Sequence, residues 1–343
     1  MHPLLRFANQ RLFIDGTAVL GISYKTAQLP FLEMMARAAE GFVGEKRLFF
    51  PYPTVLLRTC NRIEIYFSAP DLGSAHSAIL ALLRRSMEEP FEHRLYSYFG
   101  VDCLTHLCRV AAGLDSASLG ESDIQRQVKL AYLAQDKGLP SAMHRVFQKA
   151  LHIAKKVRQE GLLGPAPSLN KAIWEAASET LGSLVHQNIL LVGFSDIHRS
   201  LAAYLTQRGA SNIVFCTKDP SLLPEVRAVD RSALHRWSDY GVVSAATAAD
   251  TYLITGTTQK AVAVFDLSLP RVVDPAIASN KNVTLWNIEE INRLVREQQG
   301  IQTDRLLLCE AIIRERIIRM QRDLGSGGTE SHRGCFPCHL QTE

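Results

Sequence analysis

At its most informative point the chain reads Arg58-Thr59-Cys60-Asn61-Arg62-Ile63-Glu64-Ile65-Tyr66-Phe67. The apolar run Val55-Leu56-Leu57 precedes this stretch, and alternating apolar and polar residues follow it. The pattern predicts two short strands joined by a tight connection at Cys60. Two flanking arginines would favour the thiolate, the nucleophilic form of cysteine. On this stretch alone, a buried structural cysteine is an equally good interpretation.

Composition indicates an ordinary globular protein with two or three domains. The 343 residues are 47% hydrophobic and 21% charged, and the formal net charge is +4. This charge is too small to argue for extensive nucleic-acid coating, although a local patch for a docked tRNA remains compatible with it. No apolar run approaches about 18 residues, and the start lacks a signal-peptide pattern, so we expect no membrane association. Seven scattered cysteines, an odd number, favour a reducing cytoplasm.

Residues 1–160 predict a small α+β domain whose sheet carries the Cys60 turn. Strand residues Ala18–Tyr24 lead into a helix that starts near Pro30, and His76–Met87 has helical periodicity after the predicted hairpin. This alternation of strands and helices is typical of an α+β domain.

A second informative segment runs from Arg109 to Gln127. It predicts a helix that ends near Gly113, a polar loop, and a new helix that begins near Asp123. On spacing alone, a capped helix start, with Ser122 or Asp123 as the cap, is the better explanation of its polar residues. The preceding His106 has the chemistry of a general acid or base, but a lone histidine on a helix is more often structural.

Four stretches in order make the chain resemble the glutamyl-tRNA reductase family. They are Gly21-Ile22-Ser23-Tyr24-Lys25-Thr26-Ala27, Thr59-Cys60-Asn61-Arg62-Ile63-Glu64, the Arg109–Gln127 segment, and Phe147-Gln148-Lys149-Ala150 leading into Ala154–Arg158. The second and third are the most specific. The family usually has histidine at Tyr24 and glutamine at Asp123.

The resemblance implies a reaction at Cys60. In the family, the matching cysteine attacks the ester carbonyl of glutamyl-tRNA, and hydride from NADPH reduces the resulting thioester to glutamate-1-semialdehyde. His106 matches a histidine proposed to assist this chemistry. The resemblance further implies that the glutamate pocket is lined by Thr59, Arg62, Ser116, Glu121, Asp123 and Gln127, with Arg62 as a fork for the substrate carboxylate.

Residues 161–288 predict a Rossmann-like NADPH-binding domain. The run Asn188–Ser200 reads as an apolar strand, a glycine turn and an opening helix, and further strands are predicted at Asn212–Cys216, Thr251–Thr255 and Arg271–Asp274. The glycine motif is altered: Gly193 holds the first position, but serine and histidine hold the other two. The predicted cofactor contacts are Gly193, Ser195, Asp196, Ile197, His198, Thr217 and Lys218. Lys218 supplies charge for a 2′-phosphate, and the absence of an acid at that strand end disfavours NAD.

The C-terminal part predicts one helical segment and a tail. Residues 289–324 have helical periodicity, interrupted at Gly300, and the resemblance implies a short dimerisation segment. Residues 325–343 predict a disordered tail that ends in Cys335-Phe336-Pro337-Cys338-His339. That spacing occurs in haem attachment and in half of a zinc site, but an unliganded tail is the favoured interpretation, and no metal is assigned.

The combined expectation is a multidomain α/β enzyme, an NADPH-dependent glutamyl-tRNA reductase of tetrapyrrole biosynthesis. Its implied partners are glutamyl-tRNA(Glu), a second copy of the chain in a homodimer, and the aminomutase that receives the product. Two alternatives stay open. One is a generic thiol acyl or aldehyde dehydrogenase, and the other is a tRNA-binding protein whose altered nucleotide site supports no reduction.

Overall fold

A computed structural model describes residues 14–42, 50–87, 89–117, 119–121, 123–135, 138–160, 169–299 and 303–325. Its strands are β1 (Thr17–Ser23), β2 (Thr54–Arg58), β3 (Arg62–Ser68), β4 (Tyr96–Phe99), β5 (Asn188–Val192), β6 (Asn212–Thr217), β7 (Ala228–Asp230), β8 (Val242–Ala245), β9 (Val262–Asp266) and β10 (Val283–Asn287). Its α-helices are α1 (Leu29–Ala39), α2 (Leu72–Arg84), α3 (Gly100–Ala112), α4 (Asp123–Leu133), α5 (Ser141–Glu160), α6 (Leu169–Leu181), α7 (Asp196–Gln207), α8 (Ile288–Gln299) and α9 (Thr303–Gly325).

The first sheet is antiparallel, with the strand order β2-β3-β1-β4. Both of its faces are buried. Ile63, Ile65 and Phe67 of β3 pack with α1 and α2, whereas Tyr66 packs with α3, α4 and α5 on the opposite face. The predicted β2–β3 hairpin is confirmed, and Arg58 pairs with Ile63 as its last register position before the turn.

The second sheet is parallel, with the order β10-β9-β8-β5-β6-β7. If β5 to β10 are counted as strands 1 to 6 of this domain and the sheet is read from β7, the order is 3-2-1-4-5-6, as in dinucleotide-binding domains. The chain reverses direction across the sheet between β5 and β8, so a crevice opens at their carboxyl ends. The predicted α/β architecture, an α+β domain followed by a Rossmann-like domain, is confirmed.

Two predicted strands in this domain are wrong. Thr251–Thr255 and Arg271–Asp274 share only a single bridge between Ile254 and Val273. Beyond β5 the sheet is instead continued by β8, β9 and β10. The backbone of the 271–274 segment is tied differently, because Val272 and Val273 both donate to the Asp266 carboxylate at 2.9 Å. An extended segment whose backbone is bonded to a side chain, rather than to a neighbouring strand, can have the same residue pattern as a strand.

The C-terminal residues form two helices, and the second returns to the first domain. Cys309, Ile313 and Ile317 of α9 lie in the same apolar core as α3 and α5. Glu160 accepts from Arg316 at 2.6 Å, and Arg109 pairs with Glu310. One face of the segment predicted for dimerisation is therefore used inside the chain. The Cys335–His339 motif lies outside the described residues.

The two domains touch along one side of α1 and the Cys60 turn. Glu33 of α1 accepts two guanidinium bonds from Arg271, at 2.8 and 2.9 Å, and a third bond from the Arg271 backbone. Arg126 of α4 pairs with Asp196 at the start of α7. Across the described residues, none of the helices has the length and apolar character needed to cross a membrane.

Candidate active site

The Cys60 turn is fixed on three sides. Thr59 closes the hairpin by donating its backbone N–H to the Arg62 carbonyl at 3.0 Å, and its hydroxyl accepts from the Asn61 backbone at 3.1 Å. Tyr24 donates its backbone N–H to the Asn61 carbonyl at 2.9 Å. From the other domain, Asn292 of α8 donates to the buried Asn61 side chain at 2.6 Å. The turn thus lies at the seam between the domains.

Cys60 itself is half-buried and protonated in this conformation. Burial first, and then the nearby Glu121 charge, raise the pKa of the Cys60 thiol to about 12. The expected help from the flanking arginines is small, because both are engaged elsewhere. Arg58 pairs with Glu40 at 2.8 Å, and Arg62 is held by a buried cluster. Arg62 still lowers the pKa of the thiol, in the direction that the sequence predicts, but burial and the Glu121 charge outweigh it, so the thiolate is not the favoured form in this conformation.

That buried cluster centres on Glu64, which is fully inaccessible to solvent. Its carboxylate accepts from Arg62 at 2.9 Å and from the hydroxyls of Tyr66 and Tyr96 at 2.6 Å each, and His106 Nε2 lies 2.8 Å away. Burial alone would raise the pKa of Glu64, but the charges of His106 and Arg62 outweigh it and hold the pKa well below its usual range. The sequence prediction missed Glu64, because strand alternation places it on a face expected to meet solvent.

A cavity of about 370 Å3 opens beside this cluster. Its lining is rich in cationic and polar groups: Ser23, Lys25, Thr26, Arg62, Tyr96, Tyr98, Asp102, Thr105, His106, Arg109 and Asp115. Asp115 holds Lys25 at 2.6 Å and the Arg109 guanidinium through two bonds of 3.1 Å. Burial alone would raise the pKa of Asp115, but the hydrogen bonds and charges of Arg109 and Lys25 outweigh it and hold the pKa well below its usual range. The carboxylate therefore stays ionised. The pocket suits an anionic or polar ligand.

The structure brings some predicted residues together and separates others. Arg62 and His106 line the 370 Å3 cavity, whereas Cys60 faces a much narrower cleft with Tyr24, Leu29 and Ile288. Among the described residues these two cavities share no lining group. The catalytic pair predicted from the sequence therefore faces two different spaces in this conformation.

The predicted acidic contacts lie near the thiol. Burial, and next the charge of Asp123, raise the pKa of Glu121, while a hydrogen bond from Ser116 and the charge of Arg62 oppose the rise. Asp123 is the first residue of α4, which packs against β2 and so sets its distance from the turn. Gln127 follows one turn later on the same helix and is half-buried. The carbonyl of Ser116 accepts from the Tyr24 hydroxyl at 3.2 Å.

The predicted nucleotide turn follows β5. Gly193 has a φ of +102°, and a Cβ there would stand 2.7 Å from the Ala246 carbonyl, so only glycine fits this turn. Ser195 caps α7 by accepting from the His198 backbone at 3.2 Å. Asp196 and Ile197, both half-buried, open the helix.

His198, which replaces the third glycine of the motif, is completely buried. Its two ring nitrogens bond to the Gly193 carbonyl at 2.8 Å and to the Ser244 hydroxyl at 3.0 Å. Burial lowers the pKa of His198 to about 4, so the ring is neutral. His198 therefore braces the turn against β8 from inside the domain.

The carboxyl ends of β6 and β7 fit a nucleotide that carries an additional phosphate. Two buried polar atoms there, Thr217 Oγ1 and Arg231 Nε, have no hydrogen-bond partner among the residues that the structure describes. Lys218 is exposed beside them. Together with the strand order and the turn at Gly193, these unsatisfied donors match the chemistry of a phosphorylated dinucleotide.

Comparison with known proteins matches both domains. The family model described as the glutamyl-tRNAGlu reductase N-terminal domain matches residues 20–161, and the shikimate/quinate 5-dehydrogenase model matches residues 175–294. The second match identifies a pyridine-nucleotide dehydrogenase domain.

Individual relatives match most of the chain. A glutamyl-tRNA reductase from Akkermansia muciniphila is 32% identical over 325 residues, covering 88% of this chain and 96% of that protein. One from Chlamydia pneumoniae is 33% identical over 274 residues, covering 74% and 77%. A solved glutamyl-tRNA reductase from Methanopyrus kandleri is 24% identical, with a TM-score of 0.47, and covers 91% of this chain and 81% of that one.

Proposed function

The chain belongs to the glutamyl-tRNA reductase family, and we propose that Cys60 is the nucleophile with which it converts glutamyl-tRNA(Glu) to glutamate-1-semialdehyde. The observation that carries the proposal is the position of Cys60. It occupies the tip of a hairpin turn that is fixed from both domains, within the region matched by the family model. A nucleophile at a domain seam can meet a substrate held by one domain and a reductant held by the other.

The reaction begins with the conversion of the glutamyl ester to a thioester on Cys60. The Cys60 sulfur attacks the ester carbonyl of glutamyl-tRNA, a C–S bond forms, and the bond to the terminal ribose oxygen breaks. The freed tRNA hydroxyl takes up a proton. A thioester has less resonance stabilisation than an ester and accepts hydride more readily. NADPH, when bound to the second domain, would supply that hydride, after which the C–S bond breaks and the aldehyde leaves.

Cationic groups of the first domain would recognise the substrate. Arg62 donates one bond to Glu64 and one, at 2.6 Å, to the Asp115 carbonyl, so the described residues occupy two of its five N–H groups. The remaining groups can bind the glutamate carboxylate at the cavity that Arg62 lines. Thr59, Ser116, Glu121, Asp123 and Gln127 complete the proposed glutamate contacts around the Cys60 turn.

His106 is proposed as the group that delivers the proton to the departing hydroxyl. Glu64 fixes one ring nitrogen at 2.8 Å, and Tyr98 stacks on the ring with centroids 4.7 Å apart. These contacts orient the ring at the wall of the 370 Å3 cavity, which Cys60 does not line in this conformation, so the proposed step requires the Cys60 turn to move toward that cavity. An oriented imidazole is suited to proton transfer at neutral pH.

NADPH is the proposed reductant because Lys218 supplies a positive charge at the end of β6, whereas the neighbouring Asp219 and Asp230 carboxylates are used as caps that accept from the Ser221 and Ser232 backbones. Gly193 and the capped start of α7 would face the pyrophosphate, with Ser195, Asp196 and Ile197 in the first turn. Thr217 and Lys218, at the end of β6, would face the adenosine ribose. The buried His198 would support the glycine turn from inside the domain, through its hydrogen bonds to the Gly193 carbonyl and the Ser244 hydroxyl.

We further propose a homodimer and hand-over of the product to the aminomutase that consumes it. Leu307, Leu308 and Ile318 are exposed on α9, at 61%, 45% and 39%. An exposed apolar strip on the C-terminal helix offers a symmetric contact. Light scattering on the purified chain, with Leu307→Glu as the variant, tests the dimer.

One assay decides between reduction and the alternatives. Purified protein is incubated with tRNA charged with radiolabelled glutamate, with and without NADPH, and the products are separated. We expect semialdehyde only with NADPH, and none from Cys60→Ser, whereas Cys309→Ala, which removes a thiol from the α9 core, retains activity. Glutamate release regardless of NADPH, with no semialdehyde, would instead indicate an esterase. Binding of tRNA without turnover would indicate a non-reducing binder, and full activity of Cys60→Ser would refute the mechanism.

A further inference from the structure

We propose that Arg231 binds the 2′-phosphate of the nucleotide and makes the second domain selective for NADPH over NADH. This inference rests on the proposed function, since it assigns a residue to the cofactor named there. Arg231 is not part of any motif identified in the sequence analysis. It directly follows β7, a strand of three residues at the edge of the parallel sheet.

The fold carries Arg231 to the nucleotide crevice. Thr217 at the end of β6 pairs in register with Asp230, so Arg231 leaves the sheet beside Thr217. Its Nη2 donates to the Thr247 hydroxyl at 2.8 Å. Thr247 follows β8 and closely approaches the glycine turn, since a Cβ on Gly193 would stand 2.8 Å from it. The guanidinium therefore spans the carboxyl ends of the strands that surround the crevice.

Two donors at this place lack partners. Arg231 Nε and Thr217 Oγ1 are both buried and have no hydrogen bond in the described part of the chain. An unsatisfied buried donor costs about 1–3 kcal/mol, more when it is charged, so a site retains such groups where a ligand satisfies them. A guanidinium N–H and a hydroxyl together form a donor set for phosphate oxygens.

The surrounding charges leave the guanidinium available to an anion. Among the described residues, no carboxylate lies within ion-pair distance of Arg231. The adjacent Asp230 is exposed, and its carboxylate is used as a cap that accepts from the Ser232 backbone at 2.8 Å. Lys218 adds a second positive charge from the end of β6.

The position distinguishes the 2′-phosphate from the pyrophosphate. In dinucleotide-binding domains the glycine turn and the helix that follows it meet the pyrophosphate, whereas the end of the second strand meets the adenosine ribose. Thr217 and Lys218 stand at that second strand end, and Arg231 reaches it from the third. Arg231 thus supplies the fork that a lysine alone does not.

The test measures nucleotide affinity, independent of turnover. Trp174, Trp237 and Trp286 all lie in the second domain, so their fluorescence reports binding of NADPH or NADH. We expect Arg231→Gln to weaken NADPH binding by about 10- to 100-fold and NADH binding by less than about twofold. Arg231→Lys, which keeps the charge but not the fork, should fall between. Arg227→Gln, the loss of an exposed arginine before β7, is the matched control and should change neither affinity.

Several results would overturn the inference. An equal loss for NADPH and NADH would assign Arg231 to the pyrophosphate, and an unchanged or tighter NADPH affinity would remove it from the site. Retained NADH binding in Arg231→Gln shows that the variant is folded, and Arg231→Lys provides the comparison if it is not. If the unmodified protein binds neither nucleotide, both the proposed cofactor and this inference are refuted. If it binds both nucleotides but Arg231→Gln and Arg231→Lys leave their ratio unchanged, only this inference falls.

Discussion

Cys60 shows how the surroundings of one side chain determine its protonation. The thiol lies between two arginines in the sequence, yet burial and the Glu121 carboxylate raise its pKa to about 12. The charge of Arg62 opposes this rise but is outweighed, and both Arg58 and Arg62 have a carboxylate partner of their own. The free protein therefore holds a protected thiol, and a substrate or a movement of the turn must change its surroundings before Cys60 can act as the proposed nucleophile.

This protection gives the first prediction. Alkylation of Cys60 by iodoacetamide should rise about tenfold per pH unit between about pH 8 and pH 10, because the thiolate fraction grows throughout that range. An ordinary cysteine, with a pKa of about 8.5, would level off above about pH 9. Glu121→Gln should raise the rate at fixed pH by a few-fold, since it removes a charge that opposes the thiolate, while the distant, exposed Glu225→Gln should not. Mass spectrometry of the Cys60 peptide measures the rate, and a plateau near pH 9 would contradict the prediction.

Glu64 gives the second prediction, which concerns stability. Glu64→Gln leaves Arg62 buried without its carboxylate and should lower the free energy of unfolding by about 3–5 kcal/mol, against about 1 kcal/mol for Tyr66→Phe. The pKa of Glu64 is depressed, so its stabilisation is complete above the unfolded value of about 4.3 and is lost as the pH falls through the folded value. The deficit of Glu64→Gln should therefore shrink below about pH 4. Urea unfolding followed by far-UV circular dichroism measures it, and a deficit that grows in acid would exclude this account.

At the scale of elements, α9 decides how the C-terminal segment is used. Its inner face joins the core of the first domain through Cys309, Ile313 and Ile317. Its outer face carries Leu307, Leu308 and Ile318. A helix with two apolar faces can complete one domain and still offer a contact to a second copy.

The third prediction separates these two faces. Ile313→Ala should cost about 2–5 kcal/mol of unfolding free energy because it opens a cavity in the first domain. Leu307→Ala, on the exposed face, should change stability by less than about 0.5 kcal/mol when unfolding is measured at a concentration at which light scattering shows a monomer, because the proposed dimer contact then contributes nothing. Circular dichroism reports the whole chain, whereas tryptophan fluorescence reports only the second domain and serves as the internal control. A near-neutral Ile313→Ala would show that α9 does not pack on its own chain.

Most elements, but only part of the site, follow from the sequence. The β2–β3 hairpin and the β5–α7 unit are predictable because apolar periodicity and turn residues are local signals. β8 has only four residues and ends in Ser244 and Ala245, so Thr251–Thr255, with β-branched or aromatic residues at four of its five positions, is the more strand-like pattern. Glu64 escapes prediction because its face of β3 is buried only by the packing of α3, α4 and α5, which the local sequence does not show.

Arg231 escapes for a related reason. Its relevance depends on which strand β7 pairs with, and the sequence order alone does not reveal that pairing. The same holds for Asn61 and Asn292, which are 231 positions apart and meet at 2.6 Å. Contacts across a domain seam carry no local signature, and the site at this seam is built largely from such contacts.

At the scale of the whole molecule, the seam between the domains controls access to Cys60. The thiol faces a narrow cleft that is closed on one side by Tyr24 and on the other by Ile288 of the second domain. Arg271 and Glu33 hold the same seam farther along. A glutamyl ester can reach the sulfur only if this seam opens near the turn, so the strength of the local interdomain contacts should set how often the thiol is exposed.

The last prediction tests this control. Asn292→Ala removes the interdomain hydrogen bond to Asn61, a bond worth about 0.5–1.5 kcal/mol, which corresponds to roughly a 2- to 10-fold change in an equilibrium. We expect Cys60 in this variant to be alkylated faster by that factor at fixed pH, because the seam opens more often. Arg293→Ala, the neighbouring exposed position on α8, is the matched control and should leave the rate unchanged. Far-UV circular dichroism should show the same unfolding midpoint for both variants within a few degrees. An equal or slower alkylation rate in Asn292→Ala would mean that the turn, rather than the seam, limits access, and the opening of the active site would then have to be sought in the residues around Tyr24.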